Sequence, residues 1–230
     1  MNCWICGSPA TSAEHLLKAS DLRACFGAVS QDKPLYLHTD AARNVRKRTV
    51  KDPAFKSDAL LCAPCNNALS QPYDRAWERL SAALRAHPSL FPGRLINLGK
   101  VFQGPAKDAM RHVHLYFVKV LGCRIVEHGI PIDIGPFAQA LRAGTAHPHV
   151  HLAIGPAPAM PYRKRIAGWS EIQGDEEAGR CVFAASFYHV GDVAVNILYA
   201  EPGQRRFGLS QAWHPDSTGR LLRLANFDRA

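Results

Sequence analysis

Two C-x-x-C pairs, Cys3/Cys6 and Cys62/Cys65, are the residues whose types and spacing dictate chemistry most directly. Each pair forms a tight knuckle that aims two sulfurs at one point, and two knuckles close the tetrahedron that Zn2+ takes. Four thiolates leave no open coordination position. The expected zinc is therefore structural and contributes folding free energy directly. Gly7 follows Cys6 and Asn66 follows Cys65, where a knuckle often wants positive φ just past its second sulfur. Two unrelated pairs, or a redox C-x-x-C, are the alternatives; neither pair sits in a βαβ context, which favours zinc. Cys25, Cys123 and Cys181 make the total an odd seven. They read as buried small apolar residues, because a reducing compartment disfavours disulfides.

Glu14-His15 stands between the pairs, and Asn66-Asn67 follows the second pair at once. A metal-dependent nuclease needs a general base to deprotonate water and a hard divalent cation to neutralise phosphate; imidazole and oxygen ligands supply these respectively. Taken singly the residues read differently. His15 alone is a surface or capping histidine, Glu14 a solvated acid, and Asn66 a turn residue supplying positive φ. The four-cysteine frame around His15 is what favours chemistry.

At these residues the sequence resembles the HNH, or ββα-metal, nucleases, in particular their zinc-bearing endonuclease VII-like subgroup. The shared order is C-x-x-C, an acidic residue with His, then C-x-x-C followed directly by Asn: Cys3-x-x-Cys6, Glu14-His15, Cys62-x-x-Cys65-Asn66. The resemblance implies that His15 is the general base, and that Glu14 and Asn66 hold one catalytic Mg2+ or Mn2+. It implies an approach strand at Leu60-Leu61-Cys62 and covers about the first 80 residues.

Helix, strand and turn patterns must position these groups. The clearest helix places Leu69, Tyr73, Ala76, Trp77, Leu80, Ala83 and Leu84 at three-to-four spacing, with Pro72 in its first turn. It starts where the second cysteine pair ends. The 55-residue insert between the pairs offers a short helix from Leu16 to Phe26 and a strand at Pro34–Leu37. The run from Arg43 to Lys51 follows; its Arg46, Lys47, Arg48 and Lys51 are the candidate nucleic-acid contacts, as a basic hairpin arm or a solvated loop. Further on, helices are expected over Met110–Val126 and Phe137–Ala143, and a strand over Val150–Ile154. A hairpin is expected from Val182–Tyr188 and Val193–Tyr199 around Gly191-Asp192.

His147, His149 and His151 alternate, so one extended strand would put all three imidazoles on one side; a polar strand face is favoured over a second metal site. Arg163-Lys164-Arg165 and Arg205-Arg206 are candidate phosphate contacts or solvated loops. Trp169, Trp213, Phe183, Phe187 and Tyr188 read as core.

The 230 residues carry a net charge of +9, which suits a polyanionic partner, and no apolar stretch reaches the roughly 20 residues of a membrane span. The N-terminus has no signal-peptide pattern, so the expected location is cytoplasmic. The expected fold class is α+β: an N-terminal zinc-stapled ββα-metal (HNH) module over residues 1–86, followed by a mixed α/β domain over 87–230. The expected function is hydrolysis of DNA phosphodiester bonds, with nucleic acid as partner, no membrane contact, and a homodimer left open. The rivals are a catalytically degenerate zinc-dependent nucleic-acid-binding module, and an interaction or regulatory protein whose C-terminal part does the main work.

Overall fold

The computed structural model describes residues 2–87, 90–158, 165–217 and 219–227. Strand β1 (Ser12–His15) leads into α1 (Ala19–Phe26), and a short ribbon of β2 (Leu35–Leu37) and β3 (Val45–Lys47) follows. The chain then returns as β4 (Lys56–Leu61), which pairs antiparallel with β1. Cys65–Leu69 form one wide π-type turn that runs into α2 (Gln71–Ala86). Pro72 sits in the first turn of α2, where a missing N–H leaves no bond unmade. Tyr73, Ala76, Trp77, Leu80 and Leu84 form its buried stripe, as their spacing predicts.

Beyond α2 come β5 (Leu95–Asn97), the single turn α3 (Leu98–Val101), α4 (Ala106–His128) and α5 (Gly135–Ala143). Every residue of α4 from Val113 to Ile125 is buried, including His114, Lys119 and Arg124. A helix buried all round is a central element rather than a surface one. Gly129, at φ 62°, ends it in a left-handed cap.

The remaining strands are β6 (Val150–Pro156), β7 (Ala167–Trp169), β8 (Gln173–Glu177), β9 (Arg180–Val190), β10 (Val193–Ala200) and β11 (Leu221–Arg223). The first five build an antiparallel sheet in the order β6-β10-β9-β7, with β8 also on β9, while β11 pairs with β5. The β9–β10 hairpin turns at Gly191-Asp192 as expected, with Gly191 at φ 60°. His147 and His149, by contrast, both precede β6 and only His151 lies on it, so the three alternating imidazoles do not share one strand face.

The fold is thus mixed α/β, and one continuous apolar cluster runs from Cys3 to Leu224. The chain passes the end of α2 at Ala86 without a break in that packing. Trp77 stacks on Tyr116 of α4 at 6.0 Å and meets Phe117 edge-on at 4.7 Å. Asp21, fully buried, accepts hydrogen bonds from Trp77 Nε1 (2.7 Å), Ser81 Oγ (3.0 Å), Arg85 Nη2 (2.7 Å) and Tyr188 Oη (2.8 Å), and so ties α1, α2 and β9 together. Four donors on one carboxylate offset its desolvation, which is what lets an acid sit in a core. Gly122 lets Trp4 press against α4: a Cβ there would lie 2.5 Å from Cη2 of Trp4, the residue that follows Cys3. Among the described residues no helix is long and apolar enough to cross a membrane.

Candidate functional site

The sulfurs of Cys3, Cys6, Cys62 and Cys65 all lie within 4.8 Å of one another, with Cys6 and Cys62 at 3.5 Å. A tetrahedron with Zn–S of about 2.3 Å sets its sulfurs about 3.8 Å apart, so the cluster fits one metal ion such as zinc. The first knuckle is closed by Gly7 N–H donating to Cys3 O (2.8 Å) and Cys3 N–H to Ser8 O (2.8 Å), with Gly7 at φ 78° as expected. The second differs from expectation. Asn66 has no positive φ; its N–H donates to Cys62 O at 3.0 Å and it lies within the π-type turn. Hydrogen bonds from Ser8 hold the Cys6 thiol down to about 6, whereas burial pushes the Cys65 thiol well up. A cation at the centre of the cluster favours the thiolate of both.

Next to this cluster is a cleft of about 260 Å³, lined by Glu14, His15, Lys18, Arg23, Asn66, Asp74 and Glu78 among others. His15 ends β1, and the register against β4 shifts between Ala13 and His15. Such an irregularity re-aims the side chain at that position. Burial, followed by the charges of Lys56, Lys18, Lys119 and Arg23, lowers the His15 pKa, so the ring is neutral at neutral pH. Its Nε2 is buried with no hydrogen-bond partner. Asn66 donates through Nδ2 to Ser12 Oγ (2.7 Å) and Ala13 O (3.2 Å). The carbonyl at Ala13 can only accept, which fixes the amide orientation and leaves Asn66 Oδ1 as a buried acceptor without a partner.

Glu14 is buried, and its Oε2 pairs with Lys119 Nζ at 2.9 Å. Burial raises its pKa, and the ammonium of Lys119 works against that shift. Lys119 also reaches Asp74 Oδ1 (3.2 Å) and Ser70 Oγ (3.1 Å), while Lys18 bridges Asp74 (3.2 Å) and Glu78 (3.5 Å). The order Glu14–Lys119–Asp74–Lys18–Glu78 alternates in charge. Glu14, His15 and Asn66 thus line one cleft, and Asn66 carries an unpartnered Oδ1 there. Sequence reasoning missed Lys18 and Asp74 in the cleft lining and the buried Lys119 paired to its acids. The available signal was a lysine standing inside the apolar run Val113–Ile125.

The other anticipated contacts lie elsewhere. Arg46 and Lys47 are on β3, and Arg48 and Lys51 follow it; Arg46, Arg48 and Lys51 are exposed, and Lys47 is engaged by Asp52 at 2.9 Å. Arg46 Nη2 donates to the backbone O of Gln31. Arg163 and Lys164 lie outside the described residues, and Arg165 is exposed. Arg206 pairs with Asp175 at 2.6 Å.

His147 is buried 4.1 Å from the ring of Phe137, and its Nδ1 accepts from the N–H of His149. His151 lies 5.1 Å from His214, which lies 5.3 Å from His114. Five imidazoles therefore gather where β6 meets α4. Their nitrogens do not converge, and among the described residues the four cysteines are the one group of three or more potential Cys, His, Asp or Glu ligands close enough to share a metal.

No family model matches the chain, and neither curated proteins nor solved structures give a match.

Proposed function

We propose that this protein hydrolyses phosphodiester bonds of DNA at the His15 cleft, with His15 as general base and one Mg2+ or Mn2+ held by Glu14 and Asn66. The observation that carries this reading is the pair of buried, partnerless polar atoms, His15 Nε2 and Asn66 Oδ1, on residues that line the same cleft as Glu14. Stranded buried polar atoms cost free energy, and a functional site is where that cost is commonly met.

The resemblance to HNH nucleases supports the same roles. So does the local arrangement of two antiparallel strands and a helix next to four clustered cysteines. His15, neutral at the working pH, takes a proton from the attacking water at Nε2. Ser12 and Ala13 hold the amide of Asn66 in place. Lys18 and Arg23 offer positive charge to the incoming phosphate. A bound divalent ion supplies charge neutralisation at the phosphate oxygens.

One observation favours a second reading, a zinc-dependent nucleic-acid-binding module without catalysis: Glu14 already has a cationic partner in Lys119. Purified protein is incubated with plasmid, single-stranded and branched DNA in Mg2+ or Mn2+, beside His15→Ala. Cleavage lost in the variant supports hydrolysis. Binding without cleavage, unchanged in His15→Ala, supports the second reading and overturns the first.

A further inference from the structure

Lys119 is fully buried on α4 and sits within hydrogen-bond distance of carboxylates from two other elements, Glu14 of β1 (2.9 Å) and Asp74 of α2 (3.2 Å). Ser70 Oγ, at 3.1 Å, gives the ammonium a third partner. That is the position an ion shared by the two acids would take. We infer that Lys119 is the resident cation of the acids that line the cleft, and that it keeps a divalent ion from binding until a phosphate arrives with it. The inference rests on the proposed hydrolytic reading and identifies how that site controls its metal.

Glu14, Asp74 and Glu78 line the cleft beside Lys18 and Arg23, and Lys119, buried behind them, pairs with Glu14 and Asp74. With Glu14, Asp74 and Glu78 each already paired to an ammonium, the substrate-free cleft offers a divalent ion little attraction. An ion at Glu14 also meets an ammonium a few ångströms away, and at such separations repulsion is substantial in a partly buried site. A phosphate changes the sign of the balance. Mg2+ and Mn2+ commonly bind through one or two carboxylates together with substrate phosphate, which is the mode a pre-neutralised carboxylate leaves available. Lys119 is thus a positioning residue: it orients Glu14 and sets the order of binding without touching substrate.

The test reads Mn2+ affinity by electron paramagnetic resonance on the full, zinc-loaded chain, without turnover. Wild type alone should bind Mn2+ weakly. Lys119→Gln, which keeps a hydrogen-bonding group but no charge, should bind at least tenfold more tightly, and Lys119→Arg should resemble wild type. In a His15→Ala background with Lys119 intact, a short DNA duplex should tighten Mn2+ binding at least tenfold. That second arm decides the matter if Lys119→Gln fails to fold. Low-micromolar Mn2+ binding by wild type that Glu14→Gln abolishes, no tightening in folded Lys119→Gln, or no effect of the duplex would each overturn the inference. Cleavage by wild type in any of those cases leaves the hydrolytic reading standing, so the two fail separately.

Discussion

Acid should unfold this protein through its histidines. His114 and His147 are both buried, and burial, with neighbouring imidazoles acting behind it in the same direction, holds each pKa at about 3. In the unfolded chain each returns to about 6.5. Between those values the unfolded state binds more protons than the folded one, so stability rises with pH. Each contribution is fully present above about pH 6.5 and is lost as pH falls toward 3. One such group changes stability by about 1.4 kcal/mol per pH unit. At pH 5 each costs about 2 kcal/mol, and the pair about 4 kcal/mol, against a typical total of about 5–15 kcal/mol.

His151, held at about 4 by burial and then by His214 and His149, acts in the same direction but is only half-buried, so solvent screening discounts it. The assay is urea unfolding at several pH values from about 7.5 to 5 with zinc in excess, because thiolate ligands also protonate in acid. His147→Gln removes one titrating group and leaves the cysteine cluster alone. It should flatten the slope of stability against pH by about 1.4 kcal/mol per unit below about pH 6. Equal slopes in wild type and variant would refute the reasoning.

Three further outcomes follow from other parts of the molecule. Cys62→Ser, or metal removal by a strong chelator, should lower thermal stability sharply, whereas His15→Ala should leave it near wild type; equal losses by calorimetry would contradict a purely structural zinc. Gly122→Ala should destabilise by about 1–3 kcal/mol in urea titration, even though alanine is the better helix former by about 1 kcal/mol, because the new Cβ meets the Trp4 ring. The cost should shrink in a Trp4→Ala background. Reversing the charges of Arg46 and Arg48 should weaken DNA binding and lower the salt dependence of log K by about 0.9 for each phosphate that is no longer neutralised. An unchanged slope in filter binding would remove the β3 ribbon from the interface.

The regular parts of the fold are legible in the sequence because their signals are local. The stripe of α2 repeats every three or four residues, and the β9–β10 hairpin announces itself through Gly191-Asp192 between alternating runs. The cysteine cluster is legible for a similar reason, since C-x-x-C fixes half of a tetrahedron by itself. Lys119 is not, because nothing near it in the sequence is acidic; Glu14 and Asp74 reach it through tertiary packing alone. The histidines mislead in the opposite way. Alternation suggests one strand face, but the chain turns at Pro148-His149 before β6 begins, Phe137 packs on His147, and His214 joins from a distant segment that no periodicity links to it. Asn66 suits a left-handed turn by type, yet it stays in a helical turn because its N–H reaches Cys62 O.

The course of α4 bears on how this site can change over time. Position 119 stands 54 residues after Cys65, yet it faces Glu14, and position 122, one turn further along the same helix, seats Trp4. A lineage that exchanges Lys119 for a neutral residue should also exchange Glu14 or Asp74, and one that enlarges position 122 should shrink position 4. Paired substitutions of this kind, sought among related sequences, are an inherited record of contact that no cysteine motif carries.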